Sequence, residues 1–192
     1  MVRSFQKMTR RLSYMLCALA LSQAAVAAPP SATLNARLLA AHNSARKAVD
    51  VAPLVWSDAL ASSAREWAVS LARTGRFEHA KQPSGKAAQG ENLWMGTSAA
   101  YTPEDMVGSW TSEKKYYARG IFPKVSTTKS WADVGHYTQM IWHNTTAVGC
   151  ALVAGDGDDY LVCRYSPAGN WIGQDPQGNR ASEKQTIKKK AK

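Results

Sequence analysis

The chain has 192 residues, of which 45% are hydrophobic, 20% charged and 9% aromatic, with a formal net charge of +10. These proportions suit one globular domain with a sizeable core and exclude collagenous, coiled-coil and wholly disordered chains. No apolar run reaches the roughly 18 residues of a membrane span, so no transmembrane segment is expected.

The chain opens with a basic head (Arg3, Lys7, Arg10, Arg11), followed by an apolar stretch from Leu12 to Leu21 and the small residues Ala25-Val26-Ala27. That is the layout of a secretory signal peptide, and it predicts residues 1–27 as a leader removed on export, giving a secreted (extracellular or periplasmic) protein. Removing the leader's four positive charges takes the net charge from +10 to +6. Five lysines and one glutamate in the last ten residues account for +4 of that, leaving the body near +2. A body so nearly balanced lacks the basic stripe of a nucleic-acid-binding domain, and no nucleic-acid partner is expected.

Three amphipathic helices come next. Leu34, Leu38, Ala41/His42, Ala45 and Val49 follow helical spacing, ending before Pro53. Leu60, Ala64, Trp67/Ala68 and Leu71 give a second helix, with Ser57 as N-cap and Gly75 as its stop. The third opens on Thr102-Pro103-Glu104-Asp105, a capping residue, a proline and two acids facing the helix dipole. Met106, Trp110, Glu113 and Tyr117 then fall along one stripe. Gln82 to Gly90 reads as loop, and Glu91 enters a short extended segment. After Pro176 the composition turns polar and lysine-rich, which predicts a folded domain over 28–176 and a disordered basic tail over 177–192.

Asp156-Gly157 between two apolar runs signals a two-residue type I′ hairpin. That turn pairs Gly155 with Asp158, and counting outward brings Cys150 opposite Cys163 at a non-hydrogen-bonded site, within disulfide reach. A bridge closing so small a loop is worth about 3 kcal/mol. Leu152 and Leu161 share the cysteine face, while Ala151, Val153, Tyr160 and Val162 occupy the other. Both faces need cover, so helices on either side of a hairpin predict an α+β, three-layer α-β-α sandwich with a mainly antiparallel sheet.

Signatures for a serine nucleophile elbow, a zinc-protease helix, a P-loop and a dinucleotide fold are absent. What remains is scattered: His79, Glu91, Glu113 and His136. Two imidazoles and two carboxylates suit a divalent metal or an acid–base pair, but their irregular spacing does not by itself bring them together. His42 reads as a structural helix residue and His143 as a partly exposed neighbour of Trp142.

Four segments carry a resemblance. His42-Asn43-Ser44-Ala45-Arg46 is similar to an H-N-x-x-R motif, Gly90-Glu91-Asn92-Leu93 to G-E-N-L, and GHYTQMIWHNT (135–145) to G-H-Y-T-Q-x-x-W. YLVCRYSPAGNW (160–171) resembles a cysteine-tyrosine-proline-glycine-asparagine motif. In this order they resemble the CAP superfamily of cysteine-rich secretory proteins, antigen 5 and pathogenesis-related-1 proteins, closest to the short pathogenesis-related-1-like type. The resemblance implies an α-β-α sandwich with a central cleft. It also implies a tetrad at His79, Glu91, Glu113 and His136, with zinc or magnesium as the metal. The family's cysteine-rich C-terminal extension has no counterpart here, and the proline-tyrosine ending of the plant peptide signal is replaced by Pro176-Gln177.

Three functions follow as expectations. The preferred one is a monomeric, secreted binding module that captures a small lipid, sterol or other extracellular ligand. Its groove would be lined by Leu34, Leu38, Tyr101, Met106 and Trp110. The alternatives are a metal-dependent extracellular hydrolase using Glu91 and Glu113, and a structural or signalling surface protein without catalysis.

Overall fold

The computed structural model describes residues 32–83, 85 and 88–178; residues 1–31 and 179–192, which hold the expected leader and most of the expected tail, lie outside the described residues. Helix α1 spans Leu34–Lys47, capped by the Thr33 hydroxyl, and α2 spans Asp58–Thr74. Ser57 caps α2 through the Leu60 amide, and Gly75 closes it in the left-handed conformation that glycine adopts without strain. Helix α3, Pro103–Ser112, begins with a full capping box between Thr102 and Asp105.

Four strands form one sheet in the order β1-β3-β4-β2. Strand β1 is Val55–Trp56, β2 Gly90–Thr97, β3 Ala147–Ala154 and β4 Asp158–Ser166. The β1–β3 pairing is parallel and the others antiparallel. The hairpin register is the one counted from the turn: Gly155 donates to Asp158 (2.7 Å), and Cys150 faces Cys163 with Cα atoms 4.1 Å apart and a disulfide formed. The turn type differs from the expectation. Only Gly157 has left-handed backbone, so Asp156 does not supply the second positive φ that a type I′ turn needs.

The two sheet faces divide as the alternation predicts. Val148, Cys150, Leu161, Cys163 and Tyr165 pack with Leu38, Met106, Trp110 and Met140 on the α1/α3 side, and Tyr160 and Val162 pack with Ala64, Ala68 and Leu71 of α2 on the other. Helix α2 comes closest at Gly149, where a methyl group would lie 2.3 Å from the Ala61 nitrogen. This is the three-layer α+β sandwich.

Three placements depart from the sequence reading. Helix α3 stops at Ser112, so Glu113 is its C-cap and opens a 3₁₀ turn; Tyr117 leaves the stripe and pairs with Ser126. The proposed groove does not form from its five residues: Leu38, Met106 and Trp110 are core, while Leu34 and Tyr101 are exposed, Tyr101 lying against Trp94. Gln177 and Gly178 belong to the packed unit, two residues past the expected boundary, with Arg119 donating to the Gly178 carbonyl.

Candidate functional site

The site is assembled at the Gly90 end of β2, an edge strand, from segments far apart in sequence. Glu91 follows the tight spot at Gly90, where a side chain would collide with Gln139 at 2.1 Å. Its carboxylate accepts the His79 imidazole (Nδ1, 2.6 Å) and the Ala80 amide (3.0 Å). Arg164, opposite it on β4, completes an ion pair at 2.8 Å. Glu113 repeats the arrangement: it accepts His136 Nδ1 (2.6 Å) and the Tyr137 amide (3.0 Å). Each glutamate thus bites one imidazole and the backbone N–H of the residue that follows it. The Asn92 side chain donates to the His136 carbonyl (3.1 Å), so the consecutive residues Glu91 and Asn92 hold one dyad each.

Both carboxylates are acceptors of an Nδ1–H, which fixes the histidine tautomer and leaves Nε2 as the ring's lone-pair nitrogen. The His136 ring is also stacked on Trp110, with centroids 6.0 Å apart and planes 15° from parallel. The His79 side chain is 61% exposed and the His136 side chain 34%, so both rings reach solvent, while the Glu91 side chain is only 5% exposed. This arrangement presents two oriented imidazoles on a buried acidic footing.

His136 sits in the first turn of a six-residue helix, α4 (Gly135–Met140), which is too short to hold itself. Its ends are fixed from outside. Glu113 caps the Tyr137 amide, and Asn170 donates to Gly135 O (2.9 Å) and accepts from Thr138 (2.7 Å). Gln139 accepts the Gly169 amide at 2.9 Å. At the C-terminal side, the buried Arg46 guanidinium donates to the carbonyls of Ala52, Met140, Trp142 and Thr145. With carbonyls rather than a carboxylate around it, burial lowers its pKa to about 10.

His42 is the structural residue expected. Its Nδ1–H donates to Leu38 O (2.7 Å) and its Nε2 accepts the Tyr165 hydroxyl (2.8 Å), with burial lowering its pKa to about 4. Among the described residues, the group of three whose ligand atoms lie within 4.8 Å of one another is His42, Cys150 and Cys163. It is no metal site, because both sulfurs are spent in the disulfide and both ring nitrogens of His42 are hydrogen-bonded. The four residues of the tetrad thus stand as two His–Glu dyads.

Sequence reasoning did not reach Arg164, Asn92 or the Trp110 stack. A lone arginine in the apolar run Tyr160–Tyr165 was the available signal, but its partner needed the β2–β4 pairing. A pocket of about 650 Å³ does lie between α1 and α3, lined by Ala41, Ala45, Val107 and Gly108, with Arg37 and Glu104 also lining it.

Comparison with known proteins places the chain in a family. The model of the cysteine-rich secretory protein (CAP) family matches residues 39–165. The chain belongs to the CAP family. It is 39% identical over 137 residues to a PR-1 type pathogenesis-related protein of Sambucus nigra, covering 71% of this chain and 77% of the relative. It is 40% identical over 140 residues to pathogenesis-related protein 1C of Nicotiana tabacum, covering 72% and 77%. The fold matches the crystal structure of NaASP2 with Zn2+ at a TM-score of 0.61 and 24% identity, over 74% of this chain and 84% of that one. A PR-1-like CAP domain is thus established, and no helix among the described residues is long and apolar enough to cross a membrane.

Proposed function

We propose that this CAP domain is an exported binding module that holds a divalent metal, zinc in preference to magnesium, through Nε2 of His79 and His136, and captures a small apolar ligand. One observation carries the metal reading: each imidazole gives its Nδ1 to a carboxylate, the outer-shell arrangement that orients a histidine toward a metal. Glu91 and Glu113 act as orienting groups in this reading and not as ligands. Imidazole donors suit zinc, whereas magnesium prefers oxygen. The related NaASP2 fold, solved with Zn2+, supports the choice. When bound, the metal would supply a Lewis-acidic centre with open coordination positions; the chain's own residues fix tautomer, orientation and exposure.

The glycosidase form of the hydrolase alternative needs a carboxylate free to carry a proton or attack. Both glutamates are occupied by two donors each, and Glu91 by Arg164 besides, which favours binding over that chemistry. The apolar ligand is assigned to the α1–α3 pocket, whose small side chains leave room between the helices. This relocates the groove away from Leu38, Met106 and Trp110.

Native mass spectrometry of the exported chain tests both halves. The parent retains one zinc and an apolar ligand and begins after Ala27. His79→Ala with His136→Ala loses the zinc and keeps the ligand; Gly108→Trp, which fills the pocket, does the reverse. Equal zinc uptake by the double histidine variant and the parent would refute the metal site. A parent free of any apolar ligand would refute the capture.

A further inference from the structure

Arg164, the ion-pair partner of Glu91, also lines a cavity of about 360 Å³ between α2 and the residues that precede β2. Trp67 of α2 lines one side, half-buried, and its indole N–H donates to Glu78 O (3.0 Å), which pins the ring in one orientation. Gln89 lines another. Its Oε1 accepts the Ser63 hydroxyl (3.0 Å) and Arg164 Nη1 (3.4 Å). Arginine only donates, so the oxygen end of this amide is fixed and its NH₂ is left without a partner among the described residues.

Charge around this cavity is balanced, not one-sided. Glu66 and Lys81, both exposed, line it without a hydrogen bond or close ion pair to another described residue. Arg164 is buried; burial lowers its pKa, and Glu91 and then Glu66 push it back up, which places Glu66 within electrostatic reach of the guanidinium. The Arg164 Nε has no acceptor among the described residues. The walls thus hold unused donors on Gln89, Lys81 and Arg164 and an unused acceptor on Glu66, around one fixed aromatic face.

We propose that this cavity binds a neutral saccharide, with one pyranose ring laid against Trp67 and its hydroxyls bridging Glu66 to Gln89 and Lys81. A pyranose has the matching chemistry. Its C–H bonds make an apolar face that packs on an indole, and each hydroxyl around its rim both donates and accepts. Walls that mix donors with an acceptor satisfy such hydroxyls. An anion would need donors alone and meets Glu66; a cation would need acceptors alone and meets Lys81 and Arg164. An aliphatic chain would leave all of these polar groups unsatisfied. Glu66, Trp67 and Lys81 bond to neither dyad and lie outside the α1–α3 pocket, so the inference stands apart from the metal and apolar-ligand readings.

Isothermal titration of the purified protein with cellohexaose, chitohexaose and laminarihexaose, with EDTA present so that a metal plays no part, tests it. The parent is expected to bind at least one of these neutral sugars, with little dependence on salt, and not the charged hexagalacturonate. Glu66→Ala, at an exposed position, removes the acceptor and should weaken binding about fivefold with unchanged circular dichroism. Trp67→Ala should weaken it about tenfold, and Trp67→Phe, which keeps an aromatic face, should restore most of the loss. Should Trp67→Ala unfold, Glu66→Ala and Trp67→Phe decide the matter. A parent that binds none of the neutral sugars overturns the proposal. Parent-like affinity in Glu66→Ala also overturns it, since the saccharide would then sit elsewhere. Tighter binding of hexagalacturonate that fades with salt would make the cavity an anion site around Lys81 and overturn it equally.

Discussion

Glu113→Gln separates an orienting carboxylate from a metal ligand, because it keeps the shape and removes one acceptor. The two oxygens of Glu113 face two donors, the His136 Nδ1–H at 2.6 Å and the Tyr137 N–H at 3.0 Å. Glutamine has one acceptor oxygen and one NH₂, so one of the two donors must meet another donor. Tyr137 cannot give up its amide proton, so the carboxamide oxygen settles there and the NH₂ turns to His136. The imidazole escapes the conflict by moving its proton to Nε2, which places an N–H where the metal would bind. Loss of an outer-shell partner of this kind costs about 10- to 100-fold in metal affinity, or about 1.4–2.7 kcal/mol. Folding loses one charge-assisted hydrogen bond, about 1–2 kcal/mol, and the domain stays folded. Zinc calorimetry reads the affinity, and imidazole ¹⁵N shifts read the tautomer. Unchanged zinc affinity, or an Nδ1-protonated ring in the variant, would refute the reasoning. A loss as complete as that of His136→Ala would instead make Glu113 a ligand.

Two further predictions concern the frame. Burial holds the His42 pKa near 4 against an ordinary 6.5, so the folded protein resists a proton that the unfolded chain accepts. The stability contribution is complete above pH 6.5 and is lost as pH falls towards 4, by about 3 kcal/mol in all. Urea midpoints measured across that window should fall with acidity, and His42→Gln should flatten the slope; identical slopes would count against it. Removing the hairpin bridge by Cys150→Ala with Cys163→Ala should cost about 3 kcal/mol in urea unfolding, read without reductant on the parent. A loss under about 1 kcal/mol would mean that the register holds the hairpin unaided.

The fold was legible where local chemistry speaks for itself. Ser57, Gly75 and the Thr102-Pro103 opening bounded their helices because caps and stops act within one turn. The cysteine pairing followed from counting, since strand register has a period of two and one turn fixes it. What escaped lacked a local signal. Strand β1 is two residues long, α4 six, and neither forms without partners brought from elsewhere. The groove failed for a related reason: periodicity names the apolar stripe of a helix but not whether it faces a partner or a void. Leu38, Met106 and Trp110 answered to the core. The four site residues came from the family resemblance, because nothing in their spacing predicts that Glu91 reaches back to His79 while Glu113 reaches forward to His136.

The family motifs divide the labour of building this site. In the segment from His42 to Arg46 no residue hydrogen-bonds to either dyad's carboxylate; His42 anchors α1 to β4 through Tyr165, and Arg46 ties α1 to the carbonyls at and beyond the last residue of α4. Asn170 and Gly169 grip α4 from the other side. Their combined effect is to immobilise a single helical turn that has no N-cap side chain of its own, and that turn carries His136. On the opposing side His79 lies in a loop and is held chiefly by Glu91, which is in turn fixed by Arg164 across the β2–β4 ladder. His136 is therefore held by the Glu113 carboxylate and by the bonds that fix α4, whereas His79 rests on a glutamate that is itself locked in a buried ion pair. Because a lost partner of a buried ion pair leaves the remaining charge uncompensated, the His79 half is the more fragile of the two, and its orientation depends on a cross-strand arginine that lies outside the tetrad.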